Sequence, residues 1–249
     1  VLIATLGTEP QVVTAAVDLL AWQGERVGKV VVLHTQGDKA IEQAVETLRL
    51  EYTQSQFPLR MVAMRDEFGV PLQDVETPEA AQTAFRCLYA EVRDAKLRGE
   101  RVHLSIAGGR KTQAVFGMLA AQLLFEEDDC LWHLYSGGDF LASRRLHPQL
   151  VDDVHLVRIP VVLWWRVSPV ITDLIQYEDP YEALAKQEAL RLAERMEEAR
   201  APSTSATTTS SSCPSSTESS SAGKQLRDMS TPARSTAKHG SGRDGTSRR

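Results

Sequence analysis

The sequence predicts an α/β fold, a mostly parallel sheet with helices on both faces, plus C-terminal edge strands, one amphipathic helix and a disordered tail. Three observations predict it. Short apolar runs of strand length alternate with longer segments whose apolar residues recur at helical spacing. Turn and cap residues such as Gly, Pro, Asp and Thr stand at the junctions between them. From Ala201 onward the large apolar side chains almost disappear, so that stretch cannot bury enough surface to offset its ordering entropy.

Residues 1–6 read as a buried strand closed by Gly7-Thr8, and Pro10 opens a helix through VVTAAVDLLAWQ, because a proline in the first turn forfeits no helical hydrogen bond. The run 29–35 is a second strand. Gly37-Asp38 then starts a helix through KAIEQAVETLRLEY with Ile41, Val45, Leu48 and Tyr52 on its apolar face. Residues 59–64 form a third strand, and after the loop DEFGVPLQDVET, Thr77-Pro78-Glu79 caps a long helix reaching about Leu97, with Gly99 ending it. The fourth strand spans 101–107, Gly108-Gly109 makes the turn, TQAVFGMLAAQLLF is the fourth helix, and 130–135 is the fifth strand.

Parallel neighbours require crossovers, and crossovers are right-handed, so this alternation predicts a Rossmann-like arrangement. Beyond Gly137-Gly138, VHLVRIPVVLWWRV predicts further strands at an edge, and residues 181–199 an amphipathic helix set against the domain or a partner subunit. The expected division is an α/β domain over 1–167, a helical extension over 168–200 and a low-complexity tail over 201–249.

Composition narrows the function. The chain carries a net charge of -5 and its tail is net basic, so the foldable part is more acidic than the whole. That is a poor balance for gripping long nucleic acid through a basic face. No DNA partner is expected, and an anionic ligand must be met by a local pocket suited to a small nucleotide. Cys87, Cys130 and Cys213 share no metal or redox spacing and form no disulfide framework, which points to a reducing cytosol. No secretory signal and no bilayer-length apolar run occur, so a cytoplasmic protein without membrane contact is expected, its chain preceded by an initiator Met or a few residues.

In open α/β sheets, ligands collect at the carboxyl ends of the strands, where turns into helices present free N–H groups. Two such turns stand out: Gly7-Thr8-Glu9-Pro10-Gln11 after the first strand, and Gly108-Gly109-Arg110-Lys111-Thr112 after the fourth. Paired glycines allow close backbone approach, and Arg110 and Lys111 supply charge for phosphate oxygens. The plainer alternatives are that GGRKT is a flexible turn followed by solvated cations, and that Thr8 is a helix cap. Neither loop has the spacing of a Walker loop or a dinucleotide fingerprint. His34, His103 and His133 fall within strand patterns and read as core or strand-face residues, whereas His147 sits in an exposed loop. Glu9, Asp66, Glu67 and Asp74 show no spacing that demands acid–base catalysis or a metal, so no metal and no cofactor are expected.

Across LIATLGTEPQVVT at 2–14, GVPLQDVET at 69–77 and HLSIAGGRKT at 103–112, the sequence resembles the CRISPR-associated Rossmann fold (CARF) superfamily, specifically its standalone ring-nuclease-type members of type III systems. The resemblance covers roughly the first 165 residues. It implies a homodimer whose paired loops surround a two-fold pocket for a cyclic oligoadenylate, usually cyclic tetra-adenylate. It further implies metal-independent cleavage, in which a ribose 2′-hydroxyl attacks the adjacent phosphate and yields linear diadenylates ending in a 2′,3′-cyclic phosphate, switching off the signal. On that model Lys111 and Thr8 are catalytic. Gly7, Glu9, Gln11, Thr35, Ala107, Gly108, Gly109, Arg110, Thr112 and His147 bind the ligand.

Three other readings compete. A sensor would bind the ring without cutting it and pass the signal to an effector domain or partner. A ring-activated ribonuclease would use an Arg–His pair, and Arg234 and His239 have that spacing, but in a tail without a helical domain. A transcription regulator would need a helix-turn-helix segment and a basic surface, and the sequence offers neither.

Overall fold

The computed structural model describes residues 1–53, 55, 57–166 and 176–200, of which 165, 183, 187 and 198–200 are described by backbone alone. The low-complexity tail, with Arg234 and His239, lies outside the described residues, as does the boundary expected at 167–168.

Six strands, β1 (Leu2–Thr5), β2 (Val30–His34), β3 (Leu59–Ala63), β4 (His103–Ser105), β5 (Cys130–Ser136) and β6 (Val154–Ile159), form one sheet among the described residues in the order β3-β2-β1-β4-β5-β6. All neighbours pair in parallel except β5 and β6, which run antiparallel. Helices α1 (Gln11–Trp22), α2 (Lys39–Tyr52), α3 (Pro78–Leu97) and α4 (Lys111–Leu124) make the crossovers, so the sheet is Rossmann-like and its strand order reverses between β1 and β4.

The strands are covered on both faces because their residues alternate between two cores. Leu2, Ala4 and Leu6 join Val13, Leu20, Val45 and Leu48 of α1 and α2. Ile3, Val31 and Leu33 join Phe85, Leu88, Ala120 and Leu124 of α3 and α4. Two caps stand where the sequence puts them: Asp38 accepts the Ala40 N–H at 2.8 Å, and Thr77 accepts the Ala80 N–H at 3.1 Å ahead of Pro78.

The amino end of the sheet is closed by polar contacts. The Asp129 carboxylate, buried with the ammonium of Lys96 2.8 Å away, also accepts the Val102 and Glu126 N–H groups at 2.7 Å each. Burial opposes the charge on Lys96, but Asp129 and Glu126 outweigh it and hold the ammonium above its usual pKa. Beside it Arg101 grips Glu25 through two contacts of 2.6 and 2.9 Å.

The region after β5 departs from expectation in three ways. A short helix, α5 (Gly138–Ala142), buries Phe140, and no periodic pattern announced it because it is little more than one turn. Among the described residues of the apolar stretch VHLVRIPVVLWWRV, only β6 is a strand. Pro160 follows it without an N–H to continue the ladder, and the chain runs instead to a 3₁₀ turn at Trp164–Arg166. The last helix, α6 (Pro180–Arg200), is present, but its exposed apolar residues Leu184, Leu190, Leu192 and Met196 fall at several angles around the axis rather than along one stripe. Its start is anchored by Tyr181, edge-on to Phe85 at 5.8 Å, and by an Arg86–Asp179 pair at 3.0 Å. No helix among the described residues is long and apolar enough to cross a membrane.

Candidate functional site

The β1–α1 and β4–α4 loops meet at the point where the strand order reverses, and glycines let them touch. The Thr5 hydroxyl donates to the Gly108 carbonyl at 2.7 Å. A Cβ on Gly108 would lie 2.1 Å from the Thr5 carbonyl oxygen, and one on Gly7 would lie 3.0 Å from the Gly109 nitrogen. Gly109 also has φ +79°, and a Cβ there would collide with the Gln113 side chain. GGRKT is therefore a fixed turn, shaped by close backbone contact, and not a flexible one.

The start of α4 is organised around the same turn. Buried Gln113 accepts the Arg110 N–H at 3.1 Å, reaching back from the third position of the helix. The N–H groups of Lys111 and Thr112, at the first two positions, meet no acceptor among the described residues. Both side chains are exposed, and Lys111 has no hydrogen bond or ion pair there.

Arg110 behaves differently from its neighbour. Its guanidinium is bidentate on Asp74, with Nε 2.8 Å from Oδ1 and a second contact from the terminal nitrogen. The hydrogen bonds from Arg110 pull the Asp74 carboxyl below its usual pKa. Of two adjacent cations expected to serve an anion together, only Lys111 stands unpaired.

Two cavities open at this end of the sheet. One of about 200 Å³ is lined by Gly7, Thr8, Thr35, Asp74, Gly109 and Arg110. A second of about 680 Å³ lies among Glu9, Gln11, Ala44, Arg144 and Leu146, and Thr8 lines both. Thr8 is exposed and caps nothing: α1 begins at Gln11 behind Pro10, with no side chain on its first N–H groups. The cap reading of Thr8 is thereby set aside, and its hydroxyl is available at the junction of the cavities.

The remaining residues separate into those at the mouth and those that build it. Glu9 is paired with Arg144 through contacts of 3.1 and 3.2 Å. Thr35 is buried and lines the smaller cavity, and Ala107 is half-buried in the β4–α4 loop. Gln11 is buried and donates to the Leu141 carbonyl at 3.1 Å, so its role is to hold α5 against α1.

His147 stands outside the linings of both cavities. Its Nδ1 is 2.7 Å from Asp18 of α1 and its Nε2 is 3.0 Å from Glu51 of α2, so it clasps its loop to two helices. Burial works to lower its pKa, but the hydrogen bonds and charges of Glu51 and Asp18 prevail and raise it. The strand histidines match their expected places. Burial lowers His34, and it drives His103, whose Nδ1 accepts the Trp132 indole N–H at 3.1 Å, down to about 4. His133 sits exposed on β5. No three His, Cys, Asp or Glu side chains converge as a metal site among the described residues.

Asp74, Gln113 and Arg144 were not legible as site residues. Asp74 lies in the conspicuous GVPLQDVET segment and Gln113 at a third helical position, but each gains its role from a partner distant in sequence or in the turn's geometry. Arg144 carried no signal.

A model of the family described as CRISPR-associated protein NE0113 matches residues 9–191, more than half of the chain, including Asp74, the whole β4–α4 loop and the Arg144 loop. No curated protein matches the chain. With residues 9–191 matched, the chain belongs to the CRISPR-associated NE0113 family.

Proposed function

We propose that this protein is a ring nuclease of the CARF type, which binds a cyclic oligoadenylate, with cyclic tetra-adenylate the first choice, and cuts it to linear diadenylates. The observation that carries the reading is the junction at the strand-order reversal. There the helix that begins with Lys111, without an ion-pair partner among the described residues, and with two N–H groups that meet no acceptor among them, follows directly on Gly109 and Arg110, which line the smaller cavity with the exposed Thr8. Such a place favours a phosphate and its developing negative charge.

In the proposed reaction a ribose 2′-hydroxyl attacks the neighbouring phosphorus in line. The bond to the 5′-oxygen breaks, the hydroxyl proton is lost, and the leaving oxygen is protonated. Lys111 stabilises charge on the phosphorane or leaving oxygen, Thr8 positions a phosphate oxygen, and the glycine turn keeps both in place. A second copy completes the pocket. Val115 and Leu119 follow Lys111 along one exposed stripe of α4, and a partner covering that stripe would bring a second Lys111 to the same ligand.

A sensor that binds without cutting is the second reading, favoured by the engagement of Arg110 with Asp74, which reduces the charge free to act on a transition state. Incubation with cyclic tetra-adenylate in EDTA, followed by chromatography, separates the two. Linear diadenylate from the wild type and a loss of about 10²-fold or more in Lys111→Ala is the expected result. An intact ring that nevertheless binds would establish the sensor instead.

A further inference from the structure

Arg144 is the only described non-glycine residue with a positive φ, 58°. It follows Ser143, the residue that caps the carboxyl end of α5, and its N–H bonds back to the Leu141 carbonyl at 3.2 Å. This is the left-handed position after a helix that glycine normally fills, because a side chain there is crowded. A large charged residue at such a position points to a use for its side chain that outweighs backbone comfort.

The surrounding loop fixes where that side chain goes. On one side α5 is anchored by Phe140 in the core and by Gln11 on the Leu141 carbonyl. On the other, the Leu146 carbonyl accepts the Thr14 hydroxyl, His147 clasps Asp18 and Glu51, and Arg145 holds Asp152 at 2.7 Å. Arg144 thus projects from a pinned backbone into the wall of the 680 Å³ cavity, beside Thr8, with its guanidinium on Glu9. The pair is open to solvent, the Arg144 side chain 72% exposed and that of Glu9 34%. Exposed pairs of this kind are weak and exchange readily, while a guanidinium binds a phosphate through two oxygens much as it binds a carboxylate.

We infer that Arg144 is a phosphate-binding arm of the larger cavity, and that Glu9 occupies its guanidinium until a phosphate of the ligand displaces the carboxylate. This rests on the ring-binding function proposed above. Glu9 is then not a ligand contact but a stand-in for one. It keeps the cation placed when the cavity is empty and opposes anions that cannot compete for it. Arg110 and Asp74 form a similar pair on the wall of the smaller cavity, so the two walls are built alike.

The test is equilibrium binding of full-length protein to a cyclic tetra-adenylate made with 2′-deoxyribose, which lacks the attacking hydroxyl and stays intact. Arg144→Asn, whose side chain tolerates the left-handed backbone, should weaken binding about tenfold. Glu9→Gln should tighten it about threefold, and the double variant should bind as weakly as Arg144→Asn alone, since the gain requires the arginine. Arg144→Gly, which relaxes the backbone, should lose as much affinity as Arg144→Asn, and Arg144→Lys should recover part of it. Binding by Arg144→Asn and Arg144→Gly within twofold of the wild type, or a Glu9→Gln gain that survives without Arg144, overturns the inference and leaves ring binding intact. A wild type that binds neither the deoxy ring nor cyclic tetra-adenylate defeats the proposed function itself, and this inference with it.

Discussion

Two lysines at opposite ends of the same sheet show how differently one residue type is used. At the amino end Lys96 is buried between Asp129 and Glu126, and Asp129 also satisfies two backbone N–H groups. At the carboxyl end Lys111 is exposed and, among the described residues, has no ion-pair partner and begins a helix whose first N–H groups meet no acceptor. One end closes its polar groups on one another, which stabilises the fold. The other leaves charge and donors facing outward beside glycines packed too tightly to admit a Cβ. On the proposed function, these outward-facing groups are where a phosphate of the ligand would bind.

The sharpest test of this contrast is to remove each lysine. Lys96→Ala leaves the Asp129 carboxylate buried without its counter-ion and should cost about 3–5 kcal/mol in urea unfolding. Equal stabilities for Lys96→Ala and Lys111→Ala would erase the distinction. Gly108→Ala comes next: its methyl would meet the Thr5 carbonyl, and the two loops would have to part, costing about 3 kcal/mol by the same measurement. A folded Gly108→Ala protein with unchanged stability would show that the loops do not depend on that contact. Lys111→Ala should change stability by no more than about 0.5 kcal/mol, so that any defect in ring binding or cleavage belongs to the site rather than to the fold.

The smallest effect belongs to the His147 clasp. Its folded-state pKa is raised above the ordinary histidine value, so its contribution is fully present below the unfolded pKa, about 6.5, and disappears as pH rises through the folded value. Because the group is half exposed, the contribution is about 0.5 kcal/mol or less. The melting-temperature difference between wild type and His147→Gln should therefore be largest near pH 6 and shrink towards pH 8.5. A difference that grows with pH would mean that the imidazole is held neutral between the two carboxylates.

How much of this was legible in the sequence depends on the range of the interaction involved. Asp38 and Thr77 could be read as caps because a cap and the N–H it satisfies are two or three residues apart. The edge after β6 was overread because an apolar run does not say whether a sheet is waiting for it, and Pro160 ends the ladder. Arg110 was read as a free cation because its partner, Asp74, lies on another loop. His147 was placed with the ligand, but the structure gives it Asp18 and Glu51 instead.

By itself the sequence determined the alternation of strands and helices and the position of both glycine turns, because periodicity, caps and glycine spacing act over a few residues. Only the tertiary structure decided that the two turns interlock, that Arg110 and Arg144 each rest on a carboxylate, and that Lys111 does not. Those outcomes depend on which residues far apart in the chain meet at the reversal of strand order, and pairing across that distance leaves no local pattern.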